Sequence, residues 1–252
     1  MHLHMISQPR LEEALSKKPI FIVTVGSLEQ HARHLPLGTD VIIPVSIAER
    51  LAEEMPVLIA PPIGYGILSG NMSGGGRAFS GTICISGAAL ETILSEVLSE
   101  FIAQGARRIL VLNGHSENDS SILVVLNRLM ADRRDAKSLM IDWWNMVRPE
   151  FAAKRIPAEA QPLLAGHASY LETLMLMAVK PELVKLEELR PSKAEHDVKY
   201  EILPVKKEAV PRDGVAWPDD KTVKASLTPE LARATFDEIF KSILQAVKRD
   251  LA

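Results

Sequence analysis

The apolar residues of this chain fall into two patterns: short uninterrupted runs, and longer stretches in which apolar positions recur every three or four residues. The short runs predict buried strands at residues 20–25, 57–60, 82–85, 108–112 and 137–142. The longer stretches predict helices at residues 7–16, 41–55, 87–104, 119–133 and 168–179, followed by a C-terminal helix. Strands that alternate with helices predict an α/β fold whose mostly parallel sheet carries helices on both faces.

Local sequence signals mark the ends of two of these helices. Gly105 follows the helix at 87–104 and can adopt the left-handed conformation that ends many helices. Near the C-terminus, Thr228 is a good N-cap, Pro229 suits the first helical position, and Glu230 places a negative charge in the first turn. The C-terminal helix is therefore expected to begin directly after Thr228.

Three stretches follow neither pattern. Residues 64–81 are rich in glycine, which allows either a close backbone approach to a ligand or a mobile surface loop. Residues 145–165 are expected to be irregular, whereas residues 191–226 are polar, contain several prolines and are expected to form loops or short strands. Because we find no repeat and no linker, we expect residues 1–252 to form a single domain.

The composition narrows the classes of function. The 252 residues carry a net charge of −3 without a strongly basic stretch, which argues against a nucleic-acid partner. The single cysteine, Cys84, cannot form an internal disulfide or a thiolate zinc site, and this sparse usage fits a cytoplasmic protein. No run approaches 18 uninterrupted apolar residues and the N-terminus lacks a secretory pattern, so no membrane association is expected.

Metal-ligating side chains follow two of the predicted strands, those at 20–25 and 108–112. The candidates are Glu29, His31, Asp40, His115 and Glu117. Residues two positions apart in an extended segment point the same way, so each His/Glu pair can reach one site. The carboxyl ends of parallel strands lie at one edge of the sheet, where such folds bind their ligands. The two groups are therefore expected to converge.

Three carboxylates and two imidazoles suit two divalent ions that share a carboxylate better than one tetrahedral ion. These mixed oxygen and nitrogen ligands suit a hard or borderline divalent metal. The competing interpretation is that each His or Glu caps a helix or lies on the surface, as isolated loop residues usually do. Two independent His/Glu pairs at strand ends favour the metal site.

Three motifs resemble those of the creatininase (creatinine amidohydrolase) family, in order along the chain. They occupy residues 26–31 with 35–40, 113–118, and 167–173. The glycine-rich segments at residues 65–66, 73–76 and 81–82 resemble the creatininase loop between the first two motifs. The similarity extends from about residue 20 to residue 185, and the three motifs together are highly specific.

The resemblance implies a three-layer α/β/α sandwich, two zinc and/or manganese ions per chain, and hydrolysis of a non-peptide C–N bond, often in a cyclic amide. It implies that Asp40 bridges the two ions. One ion would also be held by Glu29 and His115, and the other by His31 and Glu117. A small-molecule substrate and a homohexamer are further expectations.

The third motif supplies the catalytic candidates. Glu172 is expected to move protons between the attacking water and the leaving nitrogen, unless it only favours a helix N-terminus. His167 is expected to hydrogen-bond the substrate carbonyl or the tetrahedral intermediate, unless its hydrogen bond is structural. The resemblance also implies substrate-binding residues, namely Tyr65, Ser73, Gly74, Gly75, Ser116 and Trp144, although by composition alone Trp144 would more often belong to the core. His34 is expected either to support the ligands from behind or to be structural, rather than to be a ligand itself.

Three positions depart from the creatininase pattern. Ser116 and Leu163 stand where creatininase has a tyrosine and a tryptophan, and Gly166 stands where it has an acid. The metal ligands are unchanged, so the departures concern the substrate. A lactam, a formamide and a lactone are therefore alternatives to creatinine. Two further alternatives are a peptidase of this family that acts on a modified peptide, and a catalytically weak relative that binds ligand without turnover.

Overall fold

Four parallel strands form the sheet at the centre of the protein. The computed structural model describes residues 1–131, 133, 135–193, 201–211, 213 and 217–251. The strands are β1 (Ile20–Val25), β2 (Val57–Ile59), β3 (Arg108–Asn113) and β4 (Lys137–Asp142), in the order β2-β1-β3-β4. Val25 pairs with Asn113, so β1 and β3 end side by side.

Helices connect and cover these strands. They are α1 (Gln8–Ser16), α2 (Thr39–Glu54), α3 (Gly87–Ala103), α4 (Asp119–Met130), α5 (Pro149–Arg155), α6 (Tyr170–Val179), α7 (Lys221–Ala225) and α8 (Pro229–Asp250). Short 3-10 turns lie at Leu3–Met5, Gly76–Ala78, Ser116–Asn118, Trp143–Met146, Ala158–Leu163, Pro181–Leu183, Leu186–Glu188 and Lys207–Ala209. Helix α8 begins as predicted, because the Thr228 side chain accepts a hydrogen bond from the Leu231 amide.

The two faces of the sheet pack under separate layers of helices. Ile20 and Ile22 of β1 pack with apolar residues of α2, α6 and α8. Phe21 and Val23, which point the other way, pack with α1, α3 and α4. This alternation is the period of two that an extended strand imposes. The predicted three-layer α/β/α sandwich is therefore confirmed.

The predicted strand at residues 82–85 was wrong. Its residues make only isolated bridges, from Ile83 to Leu28 and from Ile85 to Ile67. The segment crosses loops rather than lying beside a sheet strand, so it finds single backbone partners instead of a ladder. The run is not buried either, since Ile83 is 54% exposed, so a short apolar run alone decides neither burial nor pairing.

The stretch at 145–165, predicted to be irregular, contains helix α5. Pro149 occupies its first turn, and Ala152 and Ile156 pack in a third apolar cluster with Tyr170. Two buried residues four positions apart were too few to stand out as a helical pattern.

The stretch at 191–226 contains helix α7, which was not predicted, and a bridge between Ser192 and Trp217. Within it, residues 194–200, 212 and 214–216 lie outside the described residues, as does residue 132 near the predicted end of α4. In the described part of the chain, none of the helices combines the length and apolar character needed to cross a membrane.

Candidate metal centre and adjoining pocket

Two glycines fix the position of Asp40. Gly26 follows β1 and Gly114 follows β3, and a Cβ atom on either would overlap the backbone carbonyl of Asp40. That carbonyl belongs to the first turn of α2, which begins at Thr39, two residues earlier than predicted. Helix α2 therefore starts directly against both strand ends. The Asp40 side chain is consequently held at the edge where the sequence placed the site.

The first group of candidate ligands is formed by Glu29, Asp40 and His115, all of which are buried. His115 Nδ1 lies 3.3 Å from Glu29 Oε2 and 3.1 Å from Asp40 Oδ2. His115 Nε2 lies 2.8 Å from the Ile67 carbonyl oxygen. A carbonyl oxygen only accepts, so Nε2 carries the proton and Nδ1 presents a lone pair to the carboxylates.

The second group is formed by His31, Asp40 and Glu172. His31 Nε2 lies 2.9 Å from Asp40 Oδ1 and 3.6 Å from Glu172 Oε1. His31 Nδ1 lies 3.1 Å from the backbone oxygen of Glu29, so here Nδ1 carries the proton and Nε2 presents the lone pair. Asp40 turns one oxygen to each group, as a bridging ligand would.

This donor set fits divalent ions. Among the described residues, Glu29 Oε2, His31 Nε2 and Asp40 Oδ2 are buried without a hydrogen-bond partner. Buried polar atoms left unpaired are costly, and lone pairs that face carboxylates repel them. A cation between them removes both costs. Ligating histidines commonly donate their other N–H to a carbonyl, as His31 and His115 do.

The pKa values of the acids and histidines in this cluster are also set by their burial and by the charges beside them. Burial raises the pKa of Glu29 to about 7. Burial alone would lower the pKa of His115, but Asp40 and Glu29 together raise it to about 9. Burial likewise opposes ionisation of Asp40, yet His31 and His115 hold its pKa below the ordinary value. The site attracts positive charge, and without an ion the imidazoles would supply it.

Glu117 lies beside the first group. Its Oε2 is 3.2 Å from His115 Nε2 and 2.9 Å from the Ser116 hydroxyl, and its Oε1 accepts a hydrogen bond from Ser73. It belongs to neither of the two ligand groups found among the described residues. The carboxylate that lies with His31 and Asp40 is Glu172. The role of Glu117 as a ligand stays a prediction.

The third motif forms one side of the site. Glu172 is the third residue of α6, and its Oε2 accepts the Ser169 amide while Ser169 Oγ accepts the Glu172 amide. This capping box occupies Oε2 and leaves Oε1 towards His31. Glu172 is thus both a helix-capping acid and a member of the site. The His167 ring lies 4.2 Å from the His31 ring, and burial holds its pKa well below the ordinary value.

A cavity of about 110 Å³ opens onto these groups. Of the predicted substrate-binding residues, Ser73, Ser116 and Trp144 line it. Gly74 lies between Glu29 and His167, since a Cβ atom there would come within 2.9 Å of both side chains.

The other two predicted substrate-binding residues lie elsewhere. Gly75 instead faces Val210 and Phe79, and the Tyr65 side chain is 51% exposed. Their part in substrate binding stays a prediction.

Sequence reasoning missed several residues of the site. Met72, Trp143, Leu164 and Ser169 also line the cavity. Ser69 donates a hydrogen bond to Glu29, and the Gln30 amide contacts His167. Two of these residues carried a signal: Gln30 stands between two candidate ligands in the first motif, and Ser169 precedes Glu172 by three positions, the spacing of a capping box. His34 is structural as expected: its Nε2 bonds Thr173 Oγ1 at 3.0 Å.

Comparison with known proteins gives three consistent findings. A family model described as creatinine amidohydrolase matches residues 4–247. The creatinine amidohydrolase of Pseudomonas putida is 29% identical over 201 residues, which cover 77% of this chain and 77% of that protein. The mycofactocin precursor peptide peptidase of Mycolicibacterium smegmatis is 32% identical over 180 residues, covering 69% of this chain and 63% of that protein.

Solved structures agree with these relatives. The structure described as "Creatininase Mn" has a TM-score of 0.88 and 25% identity, covering 99% of this chain and 98% of the other. A mutant creatininase of the Zn-Zn type has the same TM-score, identity and coverage. Both metals named for these neighbours match the ligand types of the site described above.

Proposed function

The chain belongs to the creatininase family, and from this premise we propose that it is a metal-dependent amidohydrolase that cleaves a non-peptide C–N bond in a small cyclic amide. The observation that carries the proposal is the pair of buried histidines, His31 and His115, whose lone pairs converge on opposite oxygens of Asp40. A divalent cation between the groups would satisfy both the lone pairs and the carboxylates that they face.

We assign Glu29, Asp40 and His115 to one ion, and His31, Asp40 and Glu117 to the other, with zinc or manganese in both places. Ions bound there would lower the pKa of a water molecule and polarise the substrate carbonyl. Glu117 is assigned from the motif at 113–118. The position of Glu172 next to His31 supports the competing assignment, in which Glu172 is the third ligand.

In the reaction, the chain's own residues hold the substrate and move protons. Glu172 Oε1, left free by the capping box, takes a proton from the attacking water and delivers it to the leaving nitrogen. His167 donates a hydrogen bond to the carbonyl oxygen as negative charge develops there. Trp144 and Leu164 form apolar walls that exclude bulk water from the cavity.

The experiment that tests the assignment compares Glu117→Gln with Glu172→Gln. We expect Glu117→Gln to retain about one ion per chain by elemental analysis, and Glu172→Gln to retain both. Glu172→Gln should lower hydrolysis of an amide substrate by about 10²–10⁴-fold, the usual contribution of a general acid–base. If instead Glu172→Gln retained one ion and Glu117→Gln retained both, Glu172 would be the ligand. A wild-type protein that binds neither zinc nor manganese would overturn the proposal.

A peptidase acting on a modified peptide is the second candidate function. A second cavity of about 260 Å³ adjoins the first and shares Met72, Gly166, His167 and Ser169 with it. Leu163, which stands where creatininase has a tryptophan, lines this second space. Together the two cavities offer room for a substrate longer than a single ring.

A panel of lactams, formamides, lactones and short peptides, assayed with the metal-loaded protein, separates these substrates. Turnover of peptides alone would favour the peptidase, and metal binding without any turnover would favour a catalytically weak relative. The homohexamer implied by the family stays a prediction, which sedimentation analysis would check.

A further inference from the structure

The side-chain amide of Gln30 is held in one orientation. Its Oε1 lies 3.0 Å from the backbone amide of Ala32, and its Nε2 lies 2.7 Å from the backbone carbonyl of Gly74. A backbone N–H can only donate and a carbonyl can only accept. The two ends of the Gln30 amide therefore cannot exchange places.

The same Nε2 also lies 3.0 Å from Nε2 of the His167 ring. The amide nitrogen has two hydrogens, and Gly74 takes one of them. The second hydrogen points at His167, so the ring nitrogen that faces Gln30 must be the acceptor. In the neutral ring the remaining proton is then on Nδ1.

Nδ1 of His167 faces the metal centre. It lies 3.8 Å from Glu29 Oε2, and His167 lines the first cavity. The absence of a side chain at Gly74 allows the ring to lie here, because a Cβ atom at residue 74 would come within 2.9 Å of ring atoms Cγ and Cδ2. The N–H of His167 thus points to the side where a substrate carbonyl would lie.

We propose that Gln30 is a positioning residue that fixes His167 as the Nδ1–H tautomer, so that His167 acts as a hydrogen-bond donor and not as a base. The catalytic consequence rests on the proposed function, whereas the tautomer itself does not. The hydrogen-bond partner of each of the three site histidines then determines whether its ring presents a lone pair or an N–H to the site. Backbone carbonyls make His31 and His115 present lone pairs, and the Gln30 amide makes His167 present an N–H.

The test is the ring nitrogen NMR spectrum of the zinc-loaded protein with labelled histidine, in which protonated and unprotonated ring nitrogens are resolved. His167→Gln assigns the signals of His167 by their loss. His34 is an internal reference of opposite tautomer: Thr173 Oγ1 donates to the Ser169 carbonyl and must accept from His34 Nε2. We expect Nδ1–H for His167 and Nε2–H for His34.

Gln30→Glu replaces the donor by an acceptor and should place a proton on His167 Nε2, while the His34 signals stay unchanged. If this variant does not fold, Gln30→Met removes the donor and should abolish the single-tautomer pattern of His167. An Nε2–H ring in the wild type, or a His167 spectrum unaffected by loss of the Gln30 donor, would overturn the proposal. The spectrum needs no substrate, so failure of the substrate panel would count against the proposed function alone.

Discussion

The two sides of the site are built by different means. The floor, which we define as Glu29, Asp40 and His115, follows strand ends and is fixed by backbone atoms in contact, with Gly26 and Gly114 against the Asp40 carbonyl. The wall, defined as His167, Ser169 and Glu172, is fixed by side-chain hydrogen bonds at the start of α6.

This difference in construction matches two of the three departures from the creatininase pattern. Leu163 and Gly166 precede the wall and line the cavities beside it. The third, Ser116, directly follows His115 and lines the first cavity, but the ligand positions of the floor are unchanged. A backbone contact leaves no room for substitution, because adding one carbon atom forces main chains apart. Side-chain hydrogen bonds can be replaced one at a time. The floor therefore suits a fixed metal chemistry, and the wall suits changes of substrate.

Gly114→Ala should produce the largest effect, because the new Cβ atom would overlap the Asp40 carbonyl and come within 2.9 Å of Pro44 Cγ. We expect a loss of about 3 kcal/mol in the free energy of unfolding, the upper end of the usual cost of overpacking, together with loss of bound metal. The matched control is Gly105→Ala, where φ is +98° but no atom lies within 4 Å of the new Cβ. It should cost only about 1–2 kcal/mol and leave metal content unchanged. Equal costs would show that the floor is not rigid.

Ser169→Ala tests the wall. Loss of the cap should lower the free energy of unfolding by about 1 kcal/mol, and it removes one half of the capping box that orients Glu172. We expect slower hydrolysis with full metal content. The matched control is Ser86→Ala, which removes a comparable cap from α3, where Ser86 Oγ accepts a hydrogen bond from the Ala89 amide. It should lower the free energy of unfolding by a similar amount and leave the rate of hydrolysis unchanged. Loss of metal in Ser169→Ala alone would place Glu172 among the ligands.

The floor could be predicted from the sequence and the wall only in part. Glu29 and His115 follow strands whose apolar runs are visible, and parallel strands bring such residues to one edge. The contact between His31 and Glu172 depends on how α6 packs against α2, through residues such as Leu171 and Ile43, which local spacing does not report. The amide of Gln30 meets a partner 137 positions away, so its role could not be derived from the first motif.

His34 connects the first loop to the helix that carries the wall, and its contribution should depend on pH. Burial, followed by the charges of His31 and Lys224, lowers the pKa of His34 to about 3. The unfolded chain therefore binds a proton below about pH 6.5 that the folded protein does not. The contribution of neutral His34 to the free energy of unfolding is therefore fully present above that pH, and it declines as the pH falls towards 3.

His34→Gln should lower the free energy of unfolding by about 1 kcal/mol at pH 7.5, the usual worth of a buried hydrogen bond. Between pH 7.5 and pH 5 the wild type should lose about 2 kcal/mol through protonation of His34 in the unfolded chain, so the difference should change sign at pH 5, as urea denaturation at both values would show. Glutamine cannot titrate, so the pH dependence of the variant reports the contribution of all the other titratable groups. A difference that stays constant between pH 7.5 and pH 5 would contradict a neutral, buried His34.

Ala32→Gly should give the smallest effect, and in the opposite direction. Ala32 has φ of 56°, in the left-handed region, so that its amide can reach Gln30 Oε1. This conformation costs a non-glycine residue about 1–2 kcal/mol, and glycine returns part of that gain through the greater entropy of the unfolded chain. A net stabilisation below about 1 kcal/mol is expected from urea denaturation. Lys18→Gly, at φ of 48° and remote from the ligands, should gain a similar amount. If Ala32→Gly destabilises the protein while Lys18→Gly does not, the Ala32 methyl group contributes more by packing against the apolar core than it costs in backbone strain.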